Sequence, residues 1–216
     1  MKKIILSSLL IALFTLSVLA QNEKKVEFGL KTGYAYNMPK GTDASVTKFN
    51  LNGIYAGAVL NFKMNESFGI QSGLSYSYFS NLNKYNVVLD NWSQYQSIAH
   101  YLDLPIRFRF TYPLADDFNL HLLAGPNLNY GLNKHVDLER VVNKKVASEL
   151  TVKGDNIYSE TSTYSPLDLQ FGIGVGIQYY KITLHAGYDW GLLDRNITKD
   201  NTFKANDIKV GISYTF

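Results

Sequence analysis

The sequence contains no cysteine, and this absence excludes two kinds of site. A chain without thiols has neither a disulfide framework nor a thiolate metal centre. The charge is nearly balanced as well, since 21 basic residues stand against 18 acidic ones and give a net charge of +3. A surplus this small provides no basic footprint for nucleic acid. We therefore expect no nucleic-acid partner.

Long apolar runs are also scarce, and the clearest one lies at the start of the chain. Lys2 and Lys3 precede an almost wholly apolar stretch that ends at Leu19. A basic start followed by such a run is typical of a secretory signal peptide. We expect residues 1–20 to be a cleaved signal peptide and residues 21–216 to form one exported domain. A retained membrane anchor is the alternative, and the lack of cysteine excludes a lipoprotein.

The rest of the chain is rich in tyrosine and alternates in polarity with a period of two. In YLDLPIRFRF, residues 101–110, every second residue is Leu, Ile or Phe, and Asp103, Arg107 and Arg109 lie between them. This period predicts a β-strand with one apolar face. Eight segments show the alternation: 26–36, 53–62, 68–79, 98–112, 118–132, 167–179, 182–190 and 208–216.

The connections between these segments alternate in length. Short connections lie at 63–67, 113–117 and 180–181, and long ones at 37–50, 80–97, 133–166 and 191–207. Short turns at one end and long loops at the other are typical of an up-and-down barrel in an outer membrane. The sequence therefore predicts an all-β protein, an eight-stranded antiparallel transmembrane β-barrel in the cell outer membrane.

Aromatic residues lie near both ends of the predicted strands, with mostly aliphatic residues between them. Two aromatic girdles around an aliphatic band match the two interfaces of a membrane. The apolar face of each strand is therefore expected to contact outer-membrane lipid, and the polar face is expected to line the barrel lumen.

The inward positions carry equal numbers of acidic and basic residues. An eight-stranded barrel is just wide enough for side chains to fill it, and a buried charge is costly unless it is paired. We expect a lumen charge network that plugs the barrel. Its members are Glu27, Lys31, Asp103, Arg107, Arg109, Asp168, Asp189 and Lys209. Pro105 interrupts a strand, and a bulge or a missing ladder hydrogen bond is the expected explanation.

Neither the glycines nor the histidines indicate a cofactor or a catalytic site. The glycines of GIGVG, 172–176, are spaced by two without a following helix, unlike a nucleotide-binding loop. We interpret them as small residues that leave room for larger inward side chains. His121 and His185 are expected in the plug, near Asp168 and Asp189. The sequence thus assigns no catalytic, cofactor-binding or metal residue.

His100 is the best candidate for chemistry, because it is predicted to face lipid near the outer leaflet. A lipid A acylase or deacylase uses a histidine together with a serine or an acid. The expected neighbours of His100 on the same face are tyrosines and a leucine. An outer-leaflet lipid-modifying enzyme is therefore an alternative and not the preferred function.

Several segments resemble the PorT-like outer-membrane β-barrel family typical of Bacteroidetes. They are GLKTGYAYN, YLDLPIRFRF and the LHAGYDWGLLD…IKVGISYTF ending, and the resemblance covers essentially the whole mature chain. The ending also resembles the signal read by barrel-assembly machinery, with Tyr214 and Phe216 as its apolar residues. The resemblance implies eight strands, periplasmic termini and surface loops, and it implies no mechanism.

Taken together, these features favour a monomeric, non-enzymatic outer-membrane protein with a structural or interaction role. Loop 133–166 is the longest connection and mixes apolar with charged residues, and it could extend two strands as a hairpin or form a short helix. It is either a surface for a protein partner or a ligand, or a variable solvated loop. A narrow channel is a further alternative, and the balanced charge of the lumen argues against it.

Overall fold

The computed structural model describes residues 25–42, 50–88, 91–143, 145–147, 152–159, 162–198 and 200–216. The expected signal peptide, residues 1–20, lies outside the described residues. Among the described residues, no helix is long and apolar enough to cross a membrane. Their strands are β1 (Val26–Lys40), β2 (Leu51–Lys63), β3 (Phe68–Val88), β4 (Asn91–Ala115), β5 (Phe118–Val142), β6 (Lys145–Val146), β7 (Leu167–Tyr179), β8 (Ile182–Gly191) and β9 (Lys204–Thr215).

Eight of these strands close into one antiparallel ring. The order around the ring is β4-β3-β2-β1-β9-β8-β7-β5, and pairing between β4 and β5 completes the circle. The two-residue strand β6 pairs only with the last residues of β5. The predicted eight-stranded antiparallel barrel is confirmed. A closed ring satisfies backbone hydrogen bonds where no water can do so.

The chain end and the short turns lie at the same end of the barrel, which we name the turn end. The Phe216 amide donates to the Phe28 carbonyl at 2.9 Å, and the two rings stack with centroids 5.6 Å apart. Residues 64–67, 116–117 and 180–181 form the short turns. The opposite end, which we name the loop end, carries the long connections. In an outer membrane the turn end faces the periplasm.

The two faces of the wall are inverted relative to a water-soluble barrel. Phe108 on the outer face is 71% exposed, whereas Asp103, five residues earlier on the inner face, is 2% exposed. Aromatic pairs lie on the outer face at the turn end, such as Phe118 with Tyr179 at 5.2 Å, and at the loop end, such as Tyr188 with Trp190 at 4.6 Å. This arrangement fits lipid outside the barrel and polar packing inside it.

The predicted long connection at 80–97 is wrong, because most of it is strand. β3 continues to Val88 and β4 begins at Asn91. Residues 133–142, predicted as the start of a loop, continue β5. These extensions stand beyond the aromatic girdle, where water replaces lipid. Neither face of such a strand has to be apolar there. Its sequence therefore loses the alternation of apolar and polar residues and resembles a loop.

The extended parts of three strands form what we name the protruding sheet. It consists of β3 from Asn81, β4 up to Ala99, β5 from Lys134, and β6. On the other side of the ring, β1 and β9 end near the girdle at Lys40 and Lys204. The described strands therefore extend far beyond the girdle on one side of the loop end and only a short way on the other.

Pro105 lies inside β4 and interrupts the ladder with β3. Neither Leu104 nor Pro105 has a paired residue on β3, although both neighbouring stretches of β4 do. The hydroxyl of Ser72 donates to the Pro105 carbonyl at 2.9 Å and replaces a ladder bond. This fits the expected missing hydrogen bond, since proline has no N–H to donate.

Candidate functional site

The centre of the lumen is organised around the Asp103 carboxylate. Its Oδ1 accepts hydrogen bonds from the side-chain amides of Asn127 and Asn129, each at 3.0 Å. Its Oδ2 accepts from the Ser77 hydroxyl at 3.1 Å and lies 2.8 Å from the Lys209 ammonium. Both oxygens are thus satisfied, which a buried carboxylate requires. The network forms because four strands, β3, β4, β5 and β9, place polar side chains next to one another inside the barrel.

Asp207 extends this network, and sequence reasoning missed it. Its oxygens accept from the amides of Asn37 at 2.8 Å and Gln170 at 3.0 Å. Gln170 also accepts from Asn127 at 2.7 Å, which joins Asp207 to the groups around Asp103. The last strand was predicted to begin one residue later, so this inward position fell in a loop. The alternation of IKVGISYTF, extended backwards by one residue, contains the missing signal.

Arg107 and Asp189 form a second buried pair in the lumen. The guanidinium donates to the Asp189 carboxylate and to the Gly125 carbonyl. A β-carbon at Gly172 would overlap both side chains of the pair. Gly172 therefore leaves room for an inward arginine, as the interpretation of GIGVG expected.

Beside these pairs lies a lumen cavity of about 110 Å³, with Lys31 in its wall. Among the described residues, no carboxylate oxygen lies within 4.0 Å of the Lys31 ammonium. His185 also lines this cavity, and its Nε2 is hydrogen-bonded to the Tyr55 hydroxyl at 2.6 Å.

The lumen is wider at the turn end, where polar groups surround an open vestibule of about 520 Å³. Glu27 lies 2.5 Å from Lys63 and 3.9 Å from Arg109. His121 is held by Arg109 at 2.8 Å and by the Gln178 side chain at 2.7 Å. The expected neighbours Asp168 and Asp189 are therefore wrong for His121, because its strand places it nearer the turn end. The partner of His185 is likewise Tyr55 and not an aspartate.

At the loop end, a single arginine closes the lumen. Arg195 comes from the β8–β9 connection, and its side chain is fully buried. Its guanidinium carbon lies 5.5 Å from the ring centre of Tyr101, 4.7 Å from that of Tyr158 and 5.7 Å from that of Phe203. Three aromatic faces around one cation form a cation–π cage. We name Arg195 with these rings and their loops, 152–159, 162–166, 192–198 and 200–203, the outer cap.

Hydrogen bonds fix the arginine inside the outer cap. The guanidinium donates to the carbonyls of Ser165 at 3.1 Å and Pro166 at 2.6 Å, and to Asn129 Oδ1 at 3.4 Å. Because Asn129 also bonds Asp103, the cap is continuous with the lumen charge network. Backbone hydrogen bonds join residues 162–166 to the β8–β9 connection, among them Ile197 N to Thr163 O at 2.8 Å.

Lys134 and Tyr158 complete the cap. The Lys134 ammonium lies 4.7 Å above the Phe203 ring, and the residue is 1% exposed. A bulge at His100 and Tyr101 shifts the pairing with β5, so Lys134 points inward although the simple alternation would place it outward. Burial raises the pKa of the Tyr158 phenol, which keeps it neutral beside Tyr101.

The structure places all eight sequence-predicted charges along the inner face of the wall, in separate clusters. Asp103 with Lys209, and Arg107 with Asp189, occupy the centre. Glu27 and Arg109 lie at the turn end. Asp168 lies buried near the cap, where its Oδ1 accepts from the Leu193 amide at 3.3 Å.

Sequence reasoning missed three buried charges, Asp207, Arg195 and Lys134. The predicted balance of four acids and four bases is therefore incomplete. Arg195 carries no sequence signal, because its loop has no periodicity.

The outer surface carries the remaining candidates. His100 Nδ1 is hydrogen-bonded to the Tyr76 hydroxyl at 2.5 Å, and its ring lies 5.2 Å from the Tyr78 ring. Tyr214 and Phe216, the expected assembly residues, are exposed on the outer face at the turn end with ring centres 5.3 Å apart. In the part of the chain that the structure describes, no group of three or more metal-ligating side chains converges.

A family of outer-membrane protein β-barrel domains matches residues 19–195, which is most of the chain. The chain belongs to this family. Its fold and its inverted faces agree with membership, and the protein is an outer-membrane β-barrel protein. A search of curated proteins finds no match.

Solved structures with a similar fold include three outer-membrane proteins. Ail, the attachment invasion locus protein of Yersinia pestis, is 13% identical over 89% of this chain and 99% of its own, with a TM-score of 0.42. Neisserial surface protein A is 11% identical over 88% and 97%, with a TM-score of 0.41. OprG from Pseudomonas aeruginosa is 11% identical over 89% and 96%, with a TM-score of 0.38. No functional argument follows from similarities this low.

Proposed function

We propose that this family member is a non-catalytic interaction protein, in which a filled barrel anchors the protruding sheet and presents it to a protein partner. The observation that carries the proposal is the asymmetry of the strands. β4 and β5 each have 25 residues, whereas β8 has 10 and β9 has 12. A strand of about 10 residues suffices to cross the membrane. We infer that the additional residues of β4 and β5 extend beyond the membrane and have a role there.

Among the described strands, β3 has a neighbour on one side only beyond Ser80, which gives the protruding sheet an edge. Pairing between β2 and β3 ends at Asn52 and Ser80. Beyond Ser80, the backbone of β3 pairs only with β4 among the described strands, as far as Val88. An unpaired edge presents a row of N–H and C=O groups that can accept another strand. An extended segment of a partner protein can bind there by β-strand addition.

Apolar side chains on the extended part also favour a protein partner. Leu82, Val142 and Val152 are 47%, 39% and 63% exposed, and they stand beyond the outer aromatic girdle, where lipid does not cover them. Polar contacts hold the sheet itself, since the Gln94 amide donates to Glu139 at 2.6 Å. These side chains can provide apolar contacts to a protein partner on a support that is otherwise polar.

The lipid-modifying alternative has less support. The hydrogen bond of His100 goes to a tyrosine, and among the described residues no serine or carboxylate bonds to that imidazole. A narrow channel is also disfavoured, because buried pairs fill the middle of the lumen and Arg195 closes the loop end. The finer assignment to a PorT-like group and the cleaved signal peptide remain part of this proposal, on the sequence features described above.

The test is site-specific photo-crosslinking in living cells. A photoreactive amino acid is placed at Leu82, Val142 or Val152, and at the lipid-facing Leu104 and Phe108 as matched exposed controls. We expect a discrete protein adduct, strongest from Leu82 at the β3 edge, and none from the two controls. Equal adducts at all positions, or none from the protruding sheet, would contradict the proposal.

A further inference from the structure

The lumen cavity beside the buried pairs is reached from the turn end. Its wall shares three residues with the wall of the vestibule, Asn61, Arg109 and His121. The two spaces therefore adjoin each other, and the vestibule opens at the turn end. Toward the loop end, the buried pairs and the Arg195 cage fill the lumen. In the part of the barrel that the structure describes, the cavity is therefore accessible from the side that faces the periplasm.

Glycine in the wall of the cavity helps to create its volume. At Gly172, a β-carbon would overlap Arg107 and Asp189, so that glycine makes room for side chains. Gly174 also lines the cavity, but its surroundings differ. The nearest atom to a β-carbon there would be the Ala186 carbonyl oxygen at 3.1 Å, and the next two atoms would lie 3.7 Å away. A larger residue at Gly174 would therefore extend into the cavity and reduce its volume.

Lys31 provides the cavity with an ammonium group that contacts no acid. Among the described residues, it makes no hydrogen bond, and no carboxylate oxygen lies within 4.0 Å of it. The strand register places two hydroxyl groups beside it, because Lys31 pairs with Ser213 of β9, and Ser213 pairs with Thr183 of β8. All three residues line the cavity. An ammonium and two hydroxyls on neighbouring strands are hydrogen-bond donors that an oxyanion can accept from.

The cavity wall carries more positive than negative charge. Its charged residues are two acids and four cations, namely Asp103, Asp189, Lys31, Arg107, Arg109 and Lys209. Three of the four cations have a carboxylate oxygen within 4.0 Å, whereas Lys31 has none among the described residues. Asp207, the other acid beside Lys209, lies nearer the loop end and outside this wall. The surplus positive charge of the wall therefore lies at Lys31, and an anion is the ligand that complements it.

We infer that the cavity binds a small oxyanion, a carboxylate or a phosphate, which enters from the periplasm and is held by Lys31. A cavity of about 150 Å³ holds a six-membered ring such as benzene. This cavity, at about 110 Å³, therefore has room for about four or five non-hydrogen atoms. The site does not depend on the proposed protein partner, because it lies inside the barrel and opens at the other end.

The test is saturation-transfer difference NMR on the full protein in micelles of a deuterated detergent. The probes are acetate, methylphosphonate and methylammonium, the last being of similar size and opposite charge. Lys31→Met removes the ammonium, and Gly174→Val reduces the cavity without changing any charge. The matched control is Lys181→Met, which removes the same charge from an exposed lysine at the turn end, outside the walls of both spaces. Folding of each variant is checked by the change in gel mobility on heating.

We expect the wild type and K181M to bind at least one of the two anions saturably, with the same dissociation constant, and to bind no methylammonium. K31M and G174V should bind that anion about tenfold more weakly or not at all, since a hydrogen bond from a charged donor is lost or obstructed. Tighter binding of acetate identifies a carboxylate as the ligand, and tighter binding of methylphosphonate identifies a phosphate. Equal anion binding by wild type and K31M, equal binding of anions and methylammonium, or no saturable anion binding by the wild type would overturn the inference.

Discussion

Replacing Lys209 with methionine is expected to lower the free energy of unfolding by about 3–5 kcal/mol. The substitution leaves Asp103, which is 2.8 Å from the ammonium, and the neighbouring Asp207 without their cation. Both carboxylates are 2% exposed. A buried carboxylate that loses its cation keeps its desolvation cost without the compensating attraction, so the substitution destabilises the folded barrel. Urea unfolding in lipid vesicles, followed by the heat-sensitive gel band, measures the effect.

Two further variants distinguish the loss of charge pairing from the loss of a lysine side chain as the cause of a lower free energy of unfolding. Lys31→Met removes a lysine from the same lumen, but no described carboxylate oxygen lies within 4.0 Å of it, so a loss below about 1 kcal/mol is expected. D103N/K209M removes both partners and should be more stable than K209M alone. Equal losses for K209M and K31M would show that the charge network does not stabilise the barrel.

Replacing Arg195 with alanine is expected to accelerate cleavage of the outer cap by chymotrypsin about a hundredfold. The variant loses hydrogen bonds from a charged donor to Ser165, Pro166 and Asn129, worth about 1.5–3 kcal/mol each. It also loses cation–π contact with three rings. Local opening of the loops then becomes far more frequent, and cleavage follows the open population.

The matched control is Arg195→Lys, which keeps the charge but not the planar fork of donors. We expect cleavage at an intermediate rate for this variant, and an unchanged gel-mobility shift on heating for both, because the strand pairing that closes the ring does not involve the loops of the cap. Equal cleavage of wild type and R195A would mean that the loops are held closed by other contacts. A lost mobility shift would mean that the arginine stabilises the barrel as well.

The membrane part of the fold could be predicted because lipid imposes a strict rule on alternate residues. Phe108 and Arg109 must face opposite ways when one side is hydrocarbon, so the alternation shows directly in the sequence. β3 beyond Asn81 shows no such alternation in its sequence, so its strand could not be recognised. The prediction therefore failed at the level where the solvent changes.

The inner site was predictable to the extent that it follows the alternation. Asp103 and Lys209 lie on alternating segments and were assigned inward. The inward position of Lys134 was not predicted, because a bulge shifts the register of β5 against β4 above Tyr101. A bulge cannot be recognised from the polarity pattern. The burial of Arg195 was not predicted, because it depends on Tyr101, Tyr158 and Phe203, which come from three separate parts of the chain. The cage around Arg195 can be recognised only from the three-dimensional structure.

The central claim is that the lumen is filled and capped, so that the protein acts through its outer surface and not by transport. Single-channel recording in planar bilayers tests this most directly, with a known porin in the same bilayer as a positive control. We predict no conductance steps above background for the refolded wild-type protein, because the pairs at Asp103 and Asp189 and the Arg195 cage obstruct the lumen at successive heights. Stable, reproducible open steps would contradict the account and restore the channel.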